Sequence, residues 1–205
     1  MHVVIVGQKW LAAAVLQACH AKRYTVSAVA TGGDDAFRRA AHTAGVLHGE
    51  AVTQIPACDL IVAAHLHDYL PAAIRARARH GVLAYHPSLL PRHRGRDAVR
   101  WAIHMREAVT GGTVYLMDDG ADTGGIVAQD WCHIHPNDTP ESLWRRELAP
   151  MGVRLIMAAL DTLHTDGALP HALRTTPSPP SNPPFHGTKS LAPEGVSRGS
   201  KLRRI

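Results

Sequence analysis

The sequence predicts an α/β domain with a Rossmann-like, open and mostly parallel β-sheet flanked by helices. Short β-branched runs alternate with stretches of helical apolar spacing, and the first such run, His2–Val6, ends at Gly7. Residues 8–21 then show helical periodicity, and a second strand-like run follows over residues 24–29, which makes a βαβ opening. Alternating strands and helices form parallel sheets, which bind ligands beyond the carboxyl ends of their strands.

The same alternation continues along the chain. We predict further helices over residues 36–44, 72–79, 96–106 and 143–164, and further strands over residues 60–64, 81–85, 112–117 and 126–131. The last two strands flank a longer acidic loop, so they fit antiparallel additions to the sheet. Residues 137–142 supply an N-cap candidate for the last helix, with Pro140 in its first turn, and Pro150 is expected to kink that helix.

Composition indicates one domain with an appendage. The chain has 205 residues, of which 45% are hydrophobic, and this is enough to bury one substantial core. We assign residues 1–168 to the folded domain. Residues 169–205 are rich in proline and lose the apolar periodicity, so we predict an extended C-terminal tail there.

Charge and cysteine usage exclude several classes of function. The formal net charge is +5 and the pI is about 9.4, but part of the excess lies in a basic cluster within the last eight residues, so nucleic acid is not the expected partner. Three widely spaced cysteines predict neither a disulfide framework nor a metal knuckle. No apolar run reaches membrane-spanning length and the N-terminal run lacks a basic leader, so we expect a cytoplasmic protein without a membrane partner.

One histidine stands at the end of a predicted strand and at the start of a stiff loop. His86 lies within the run Tyr85-His86-Pro87-Ser88-Leu89-Leu90-Pro91-Arg92-His93-Arg94-Gly95. Pro87 and Pro91 restrict the backbone after it, and Gly95 permits unusual dihedral angles at the end of the loop. A lone histidine is more often a satisfied core residue, but a constrained backbone suits a preorganised reactive group.

A carboxylate-rich loop follows the next predicted strand. It reads Met117-Asp118-Asp119-Gly120-Ala121-Asp122-Thr123-Gly124-Gly125, and we expect it to bring Asp122 against His86. A paired histidine and aspartate can perform general acid–base catalysis. The competing interpretation is a turn-forming aspartate that bonds its own backbone, and we favour this for Asp118 and Asp119.

Two other patterns give weaker signals. Gly7 is a single glycine in the first βα turn, without the G-x-G-x-x-G pattern, so we expect no bound dinucleotide. The pairs His65-x-His67 and His133-x-His135 would each share one face of a strand, but neither has an obvious third ligand. We therefore predict no metal site.

The His86 run and the Asp122 loop together resemble the enzymes that use 10-formyltetrahydrofolate. These are glycinamide ribonucleotide formyltransferase, methionyl-tRNA formyltransferase and the hydrolase domain of 10-formyltetrahydrofolate dehydrogenase, and the similarity is strongest to the last. It is carried by residues 85–95, Asp118-Asp119-Gly120, Asp122-Thr123-Gly124 and Pro136-Asn137-Asp138-Thr139. It covers roughly residues 1–165, and it implies that the domain 1–168 is a formyltransferase-like catalytic domain.

The resemblance also implies a role for each site residue. His86 would be the general acid/base beside the formyl group, and Asp122 would orient its ring and favour the protonated imidazolium. The folate would be bound largely through backbone groups of two loops, which comprise Asp68, Tyr69 and Leu70, and Asp118, Asp119, Gly120, Ala121 and Asp122.

One position departs from the transferase pattern. The transferases place an asparagine two residues before the histidine, where it donates to the developing oxyanion, whereas this chain has Ala84. The hydrolase-type domain is also apolar at this position. Removing one oxyanion donor slows a reaction by about a hundredfold to a thousandfold, so another donor or a water molecule would have to replace it.

The leading function that the resemblance implies is transfer of a formyl group from 10-formyltetrahydrofolate to an amine of a small molecule. Two alternatives stay open: hydrolysis to formate and tetrahydrofolate, which Ala84 favours, and a catalytically weak folate-binding protein. A tRNA acceptor is not expected, because the segment after His164 is too short and too rich in proline to form an RNA-binding domain. The sequence leaves the oligomeric state open, a homodimer included.

A group of arginines near the His86 loop is a candidate contact for an anionic acceptor, with a solvated basic rim as the equal alternative. Its members are Arg92, Arg94, Arg96 and Arg100.

Overall fold

A computed structural model describes residues 1–169, so the predicted tail beyond Leu169 lies outside the described residues. The strands are β1 (His2–Gly7), β2 (Thr25–Ala30), β3 (Leu47–Gly49), β4 (Leu60–Ala64), β5 (Val82–His86), β6 (Val109–Leu116) and β7 (Ile126–His133). The α-helices are α1 (Lys9–Ala21), α2 (Ala36–Thr43), α3 (Ala72–Arg75), α4 (Ala98–His104), α5 (Pro140–Leu143) and α6 (Ala149–Asp166). A 3₁₀ turn covers Val52–Gln54, and a π-helical turn covers Trp144–Leu148.

The strands form one open sheet in the order β3-β2-β1-β4-β5-β6-β7. All neighbours from β3 to β5 are parallel, and β6 and β7 are added antiparallel. This confirms the predicted α/β class with a mostly parallel, Rossmann-like sheet. Strand β3 was not predicted, because three residues are too few for a periodic pattern to be visible.

The sheet separates two hydrophobic clusters, as expected for strands that are covered on both faces. Every residue of β4 and β5 is buried, which explains their uninterrupted apolar sequences. Helices α1, α2 and α6 contribute to the cluster on one face. The other face is covered by α3 and by irregular segments that carry Ile55, Leu70 and Leu90.

The predicted helix 72–79 ends early, at Arg75. The reason is that the next residues bond to another part of the chain. The N–H of Cys58 donates to the carbonyl of Arg77, and the N–H of Arg79 donates to the carbonyl of Cys58, each over 3.0 Å. Propensity within the segment could not reveal this pairing.

The last helical region begins as predicted and is interrupted where Pro150 was expected to act. Thr139 caps α5, since its hydroxyl accepts a hydrogen bond from the N–H of Ser142 over 3.1 Å, and Pro140 occupies the first turn. The π-helical turn Trp144–Leu148 ends just before Ala149-Pro150, and Pro150 lies in the first turn of α6. Proline has no N–H to donate within a helix, and a wider turn before it accommodates the missing bond.

Tyr85 fixes the end of β5 against the last helical region. Its hydroxyl donates to the carbonyl of Leu148 over 2.7 Å. The ring lies against Gly112 of β6 and Gly152 of α6, where any side-chain carbon would collide with it. The tight packing holds the residue that follows, His86, in a fixed position.

Within residues 1–169, we find no helix with the length and apolar character needed to cross a membrane.

Candidate active site

A cleft of about 960 Å³ opens at the carboxyl ends of the central strands. Strands β1 and β4 are neighbours although β2 and β3 lie between them in the chain, so the strand order reverses at this point. Ligands of open α/β sheets bind at such switch points. The volume is within the range of about 300–1,000 Å³ that is usual for small-molecule sites.

His86 and Asp122 meet on the wall of this cleft. His86 is the last residue of β5, and its Nδ1 lies 3.4 Å from Oδ2 of Asp122. Both side chains are largely buried, with 9% and 17% of their surface exposed. The separation slightly exceeds that of a formed hydrogen bond. The arrangement can move a proton between His86 and a ligand in the cleft.

The loop after His86 is attached firmly to the antiparallel strands. The hydroxyl of Thr113 donates to the carbonyl of Ser88 over 2.6 Å and accepts from the N–H of Leu90 over 3.2 Å. Gln129 donates to the carbonyl of Leu90 over 3.1 Å, and the Leu90–Pro91 peptide bond is cis. These hydrogen bonds tie the turn after His86 to β6 and β7, so His86 is presented by a braced backbone.

The second nitrogen of His86 is also engaged. Its Nε2 lies 2.7 Å from the carbonyl oxygen of His93, and both residues are buried. A carbonyl oxygen only accepts, so this nitrogen must carry the hydrogen. Proton exchange with a ligand therefore falls to Nδ1, on the Asp122 side.

Asp122 is held by the N–H of Gly95 and by Tyr115, a residue that the sequence did not single out. Its Oδ2 accepts from the N–H of Gly95 over 2.7 Å, and its Oδ1 accepts from the hydroxyl of Tyr115 over 2.6 Å. Burial and then the adjacent carboxylate raise the pKa of Tyr115 well above its ordinary value, so the phenol stays a donor. Tyr115 faces Ala84 across the β5–β6 pair, a relationship visible only once the register is known.

The rest of the acidic loop supports Asp122. Oδ1 of Asp118 accepts from the N–H of Gly120 over 3.0 Å and from the hydroxyl of Thr123 over 2.5 Å, as the turn interpretation predicted. Asp122 has a φ of 54°, in the left-handed region that short polar side chains tolerate. A side-chain carbon at Gly124 would lie 1.6 Å from the carbonyl oxygen of Leu116, so only glycine fits there.

The two loops that were predicted to bind folate are joined by an arginine. Arg75 donates to the carbonyl of Leu70 over 2.6 Å and forms an ion pair with Asp119. A hydrogen bond with Tyr69 and then the Asp119 carboxylate raise the pKa of this arginine. Leu70 is buried, whereas 65% of the surface of Tyr69 is exposed.

Of the residues predicted to bind folate, the structure places two on the wall of the cleft, Ala121 and Asp122. The others are outside this wall: Asp68, Tyr69, Leu70, Asp118, Asp119 and Gly120.

Three basic side chains line the cleft, those of Lys9, Arg96 and Arg100, together with the acidic Asp97 and Glu141. His65 and His67 also line it, and their ring centroids are 5.1 Å apart. Burial, followed by the proximity of His67 and Lys9, lowers the pKa of His65 to about 4. Burial, then Lys9 and Arg96, also lower the pKa of His67. Both rings are therefore neutral near pH 7, and the positive charge comes from lysine and arginine.

The four arginines near the His86 loop have different surroundings. Arg96 and Arg100 line the cleft, and Nη1 of Arg100 lies 3.9 Å from Oδ1 of Asp97. Arg92 forms an ion pair with Glu107 on the far side of the loop, and Arg94 is almost fully buried. The predicted contact with an anionic ligand is therefore available to only two of the four.

Within the described part of the chain, no group of three His, Cys, Asp or Glu side chains is arranged to hold a metal ion. His65 follows β4 in a loop instead of lying within a strand, with a φ of 57°.

Comparison with known proteins identifies the family. Residues 48–160, more than half of the chain, match the sequence profile of the formyl transferase family. The chain belongs to this family. It is therefore a formyltransferase-family domain, as the His86 run and the Asp122 loop indicated.

Curated relatives of this formyltransferase-family domain include two of the three kinds of enzyme that the sequence resembles. It is 35% identical over 157 residues to the mitochondrial 10-formyltetrahydrofolate dehydrogenase of Mus musculus, a match that covers 74% of this chain and 16% of the mouse protein. It is 34% identical over 208 residues to the methionyl-tRNA formyltransferase of Burkholderia vietnamiensis, covering 87% of this chain and 62% of that protein. The chain thus spans about a sixth of the mouse dehydrogenase and under two thirds of the transferase.

Solved structures share the fold of this domain at low sequence identity. Phosphoribosylglycinamide formyltransferase from Bacillus halodurans superposes with a TM-score of 0.71 and 23% identity, covering 82% of this chain and 97% of that one. A sugar 3N-formyl transferase, solved in the presence of dTDP and 5-N-formyl-THF, superposes with a TM-score of 0.75 and 17% identity, covering 86% and 67%. These matches confirm the formyltransferase fold.

Proposed function

We propose that this domain moves the formyl group of 10-formyltetrahydrofolate to an amine of a small molecule. The observation that carries the proposal is the His86–Asp122 pair, with Nδ1 and Oδ2 3.4 Å apart on the wall of the cleft. Family membership supports the reaction class, because the relatives named above are formyltransferases and 10-formyltetrahydrofolate dehydrogenases.

In this proposal, His86 carries the proton that the reaction must move. The amine nitrogen bonds to the formyl carbon, which leaves a negative charge on the formyl oxygen and a positive charge on the nitrogen. Nδ1 of His86 accepts a proton from that nitrogen and gives it to N10 of the folate as the bond between N10 and the formyl carbon breaks. The products are the N-formyl amine and tetrahydrofolate, and Asp122 balances the charge of the transient imidazolium.

The basic side chains of the cleft favour an acceptor that carries negative charge. Lys9, Arg96 and Arg100 line the cleft, and burial, followed by the charges of Lys9 and Arg96, lowers the pKa of His67 in the same wall. Guanidinium and ammonium groups bind phosphates and carboxylates through charge-assisted hydrogen bonds. We therefore expect an amine that also bears a phosphate or carboxylate group.

A second candidate function is hydrolysis, with water in place of the amine. Ala84, which lines the cleft, favours it, because the hydrolase-type domain is also apolar at this position whereas the transferases have an oxyanion donor there. Water attacking the formyl carbon would give formate and tetrahydrofolate, and His86 would move the proton in the same way.

Turnover of 10-formyltetrahydrofolate, measured with and without a panel of amines, separates the candidates. The proposal expects N-formyl product with an anionic amine and little loss of substrate in its absence. Formate release at the same rate without any amine would instead establish hydrolysis. Tight folate binding with neither product would identify a binding protein and contradict both reactions.

Substitutions test the residues. His86→Ala and Asp122→Asn should each lower kcat by about a hundredfold or more while folate affinity changes little. His48→Ala is the matched control, because His48 is exposed on β3, remote from the cleft. Unchanged turnover in His86→Ala would contradict the role given to this residue.

A further inference from the structure

The position of one backbone carbonyl, that of His93, determines which ring nitrogen of His86 carries the hydrogen. Nε2 of His86 donates to the carbonyl oxygen of His93 over 2.7 Å, in a buried position. If that oxygen moved away, the neutral ring could carry its hydrogen on Nδ1 instead, and Nδ1 could then no longer accept a proton. The tautomer of His86 is thus set by the backbone at His93.

The backbone at His93 is in a conformation that needs support. Its φ is 53°, in the left-handed region, which is unfavourable for a bulky residue unless surrounding contacts impose it. Nε2 of the His93 ring lies 2.7 Å from Oε1 of Glu107, and only 4% of the surface of the His93 side chain is exposed. The contact between the His93 ring and Glu107 can hold the His93 backbone in this conformation.

Glu107 is itself held in place by two contacts besides the His93 ring. Its N–H donates to the carbonyl of Ala102 in α4 over 3.1 Å, and Nε of Arg92 donates to its Oε1 over 2.5 Å. Burial opposes ionisation of this carboxyl, but the hydrogen bonds from Arg92 and His93 outweigh it and lower the pKa below the ordinary value. The carboxylate is therefore a fixed, charged acceptor behind the His86 loop.

We propose that Glu107 and His93 act as positioning residues, which hold the His93 carbonyl on Nε2 of His86 and so keep Nδ1 as the nitrogen that exchanges protons. This inference rests on the proposed function for its consequence in catalysis. Neither residue lines the large cleft; both border a separate hollow of about 300 Å³ on the far side of the loop. Their effect on substrate is therefore indirect.

The ring nitrogens of His86 report this positioning without any substrate. Nitrogen-15 NMR of ring-labelled protein distinguishes the two neutral tautomers, and His86→Gln assigns the signals. We expect wild-type protein to hold the hydrogen on Nε2. Glu107→Ala should give a mixture of both tautomers, whereas Glu107→Gln, which keeps an oxygen acceptor for the His93 ring, should behave as wild type. Glu50→Ala is the control, since Glu50 also pairs with an arginine, Arg38, but far from the loop.

A second variant covers the case in which Glu107→Ala does not fold. Alanine keeps the strain of a left-handed backbone but has no side chain that could reach Glu107, so His93→Ala should also give mixed tautomers. The proposal is overturned if both variants keep the wild-type tautomer, if Glu107→Gln loses it as fully as Glu107→Ala, or if Glu50→Ala loses it as well.

Kinetics then test the consequence. In Glu107→Ala, kcat should fall about tenfold or more while KM for the folate stays within about twofold, and Glu107→Gln should restore kcat. A mixed tautomer together with unchanged kcat would overturn the catalytic consequence. Because the NMR experiment needs no turnover, it tests the positioning independently of the proposed reaction.

Discussion

The hydroxyl of Tyr115 donates to Oδ1 of Asp122 over 2.6 Å, while Oδ2 of the same carboxylate lies 3.4 Å from Nδ1 of His86. Asp122 therefore bridges a phenol on β6 and an imidazole at the end of β5. The phenol is buried, and its pKa is raised first by that burial and then by the carboxylate, so it remains a donor over the whole working range of pH. This bond fixes the side chain that faces His86.

Tyr115→Phe should lower kcat while preserving the fold. A hydrogen bond to a charged group is worth about 1.5–3 kcal/mol, so loss of this one should lower kcat about tenfold or more by letting the Asp122 carboxylate rotate. Steady-state kinetics check the rate, and urea unfolding checks the stability. Tyr24→Phe is the matched control, because the Tyr24 hydroxyl donates to Asp161 over 2.9 Å on the opposite side of the molecule from the acidic loop. If both variants keep full kcat, Tyr115 has no positioning role.

His65 should make the fold less stable as the pH is lowered. Its pKa is lowered to about 4 in the folded protein, by burial and then by His67 and Lys9, against about 6.5 in an unfolded chain. The unfolded state therefore binds more protons between these values, so stability is lost as pH falls from about 6.5 towards 4. After allowance for the partial exposure of the ring, the loss between about pH 7 and pH 5 is roughly 1 kcal/mol.

His65→Asn removes the titrating ring and tolerates the left-handed φ of 57° at this position. Between about pH 7 and pH 5, urea unfolding should show that the variant loses about 1 kcal/mol less of its free energy of unfolding than the wild-type protein does. An equal loss in both proteins would contradict the assignment of this pH dependence to His65.

Arg75→Ala should weaken folate binding more than it slows the reaction. Arg75 ties the two loops predicted to bind folate, through Leu70 and Asp119, and its side chain is only 13% exposed. We expect KM for the folate to rise about threefold to tenfold with little change in kcat. Arg154→Ala is the control, since Arg154 pairs with Asp130 away from these loops.

Asp119→Ala should have the smaller effect of the two. The Asp119 side chain is 85% exposed, and solvent-exposed ion pairs contribute little. A rise in KM equal to that of Arg75→Ala would show that the ion pair, and not the bond to Leu70, joins the loops.

Gly124→Ala should unfold the acidic loop. The new side-chain carbon would lie 1.6 Å from the carbonyl oxygen of Leu116, and backbone on both sides would have to move. We expect a loss of about 3 kcal/mol or more in the free energy of unfolding. Gly45→Ala is the control, because Gly45 has a φ of 66° but open space around it, so its cost should be about 1 kcal/mol.

Much of the fold could be predicted from local patterns. Residues close together in the sequence are enough to predict several features. These are the apolar runs of β1, β4 and β5, the Thr139 cap and the last helix with its proline. The candidate site was visible for the same reason, since His86 ends one strand and Asp122 lies in a turn-rich loop after the next. The end of α3 at Arg75 was predicted wrongly, because the backbone after it pairs with the distant Cys58.

The sequence by itself determined the α/β class, the placement of His86 at a strand end and the family to which the chain belongs. Only the tertiary structure decided that Tyr115 holds Asp122, that the carbonyl of His93 sets the tautomer of His86, and that Arg92 turns away to Glu107. Strand and helix patterns depend on residues a few positions apart. The contacts that orient the site join residues brought together by strand register and loop path, which no local pattern specifies.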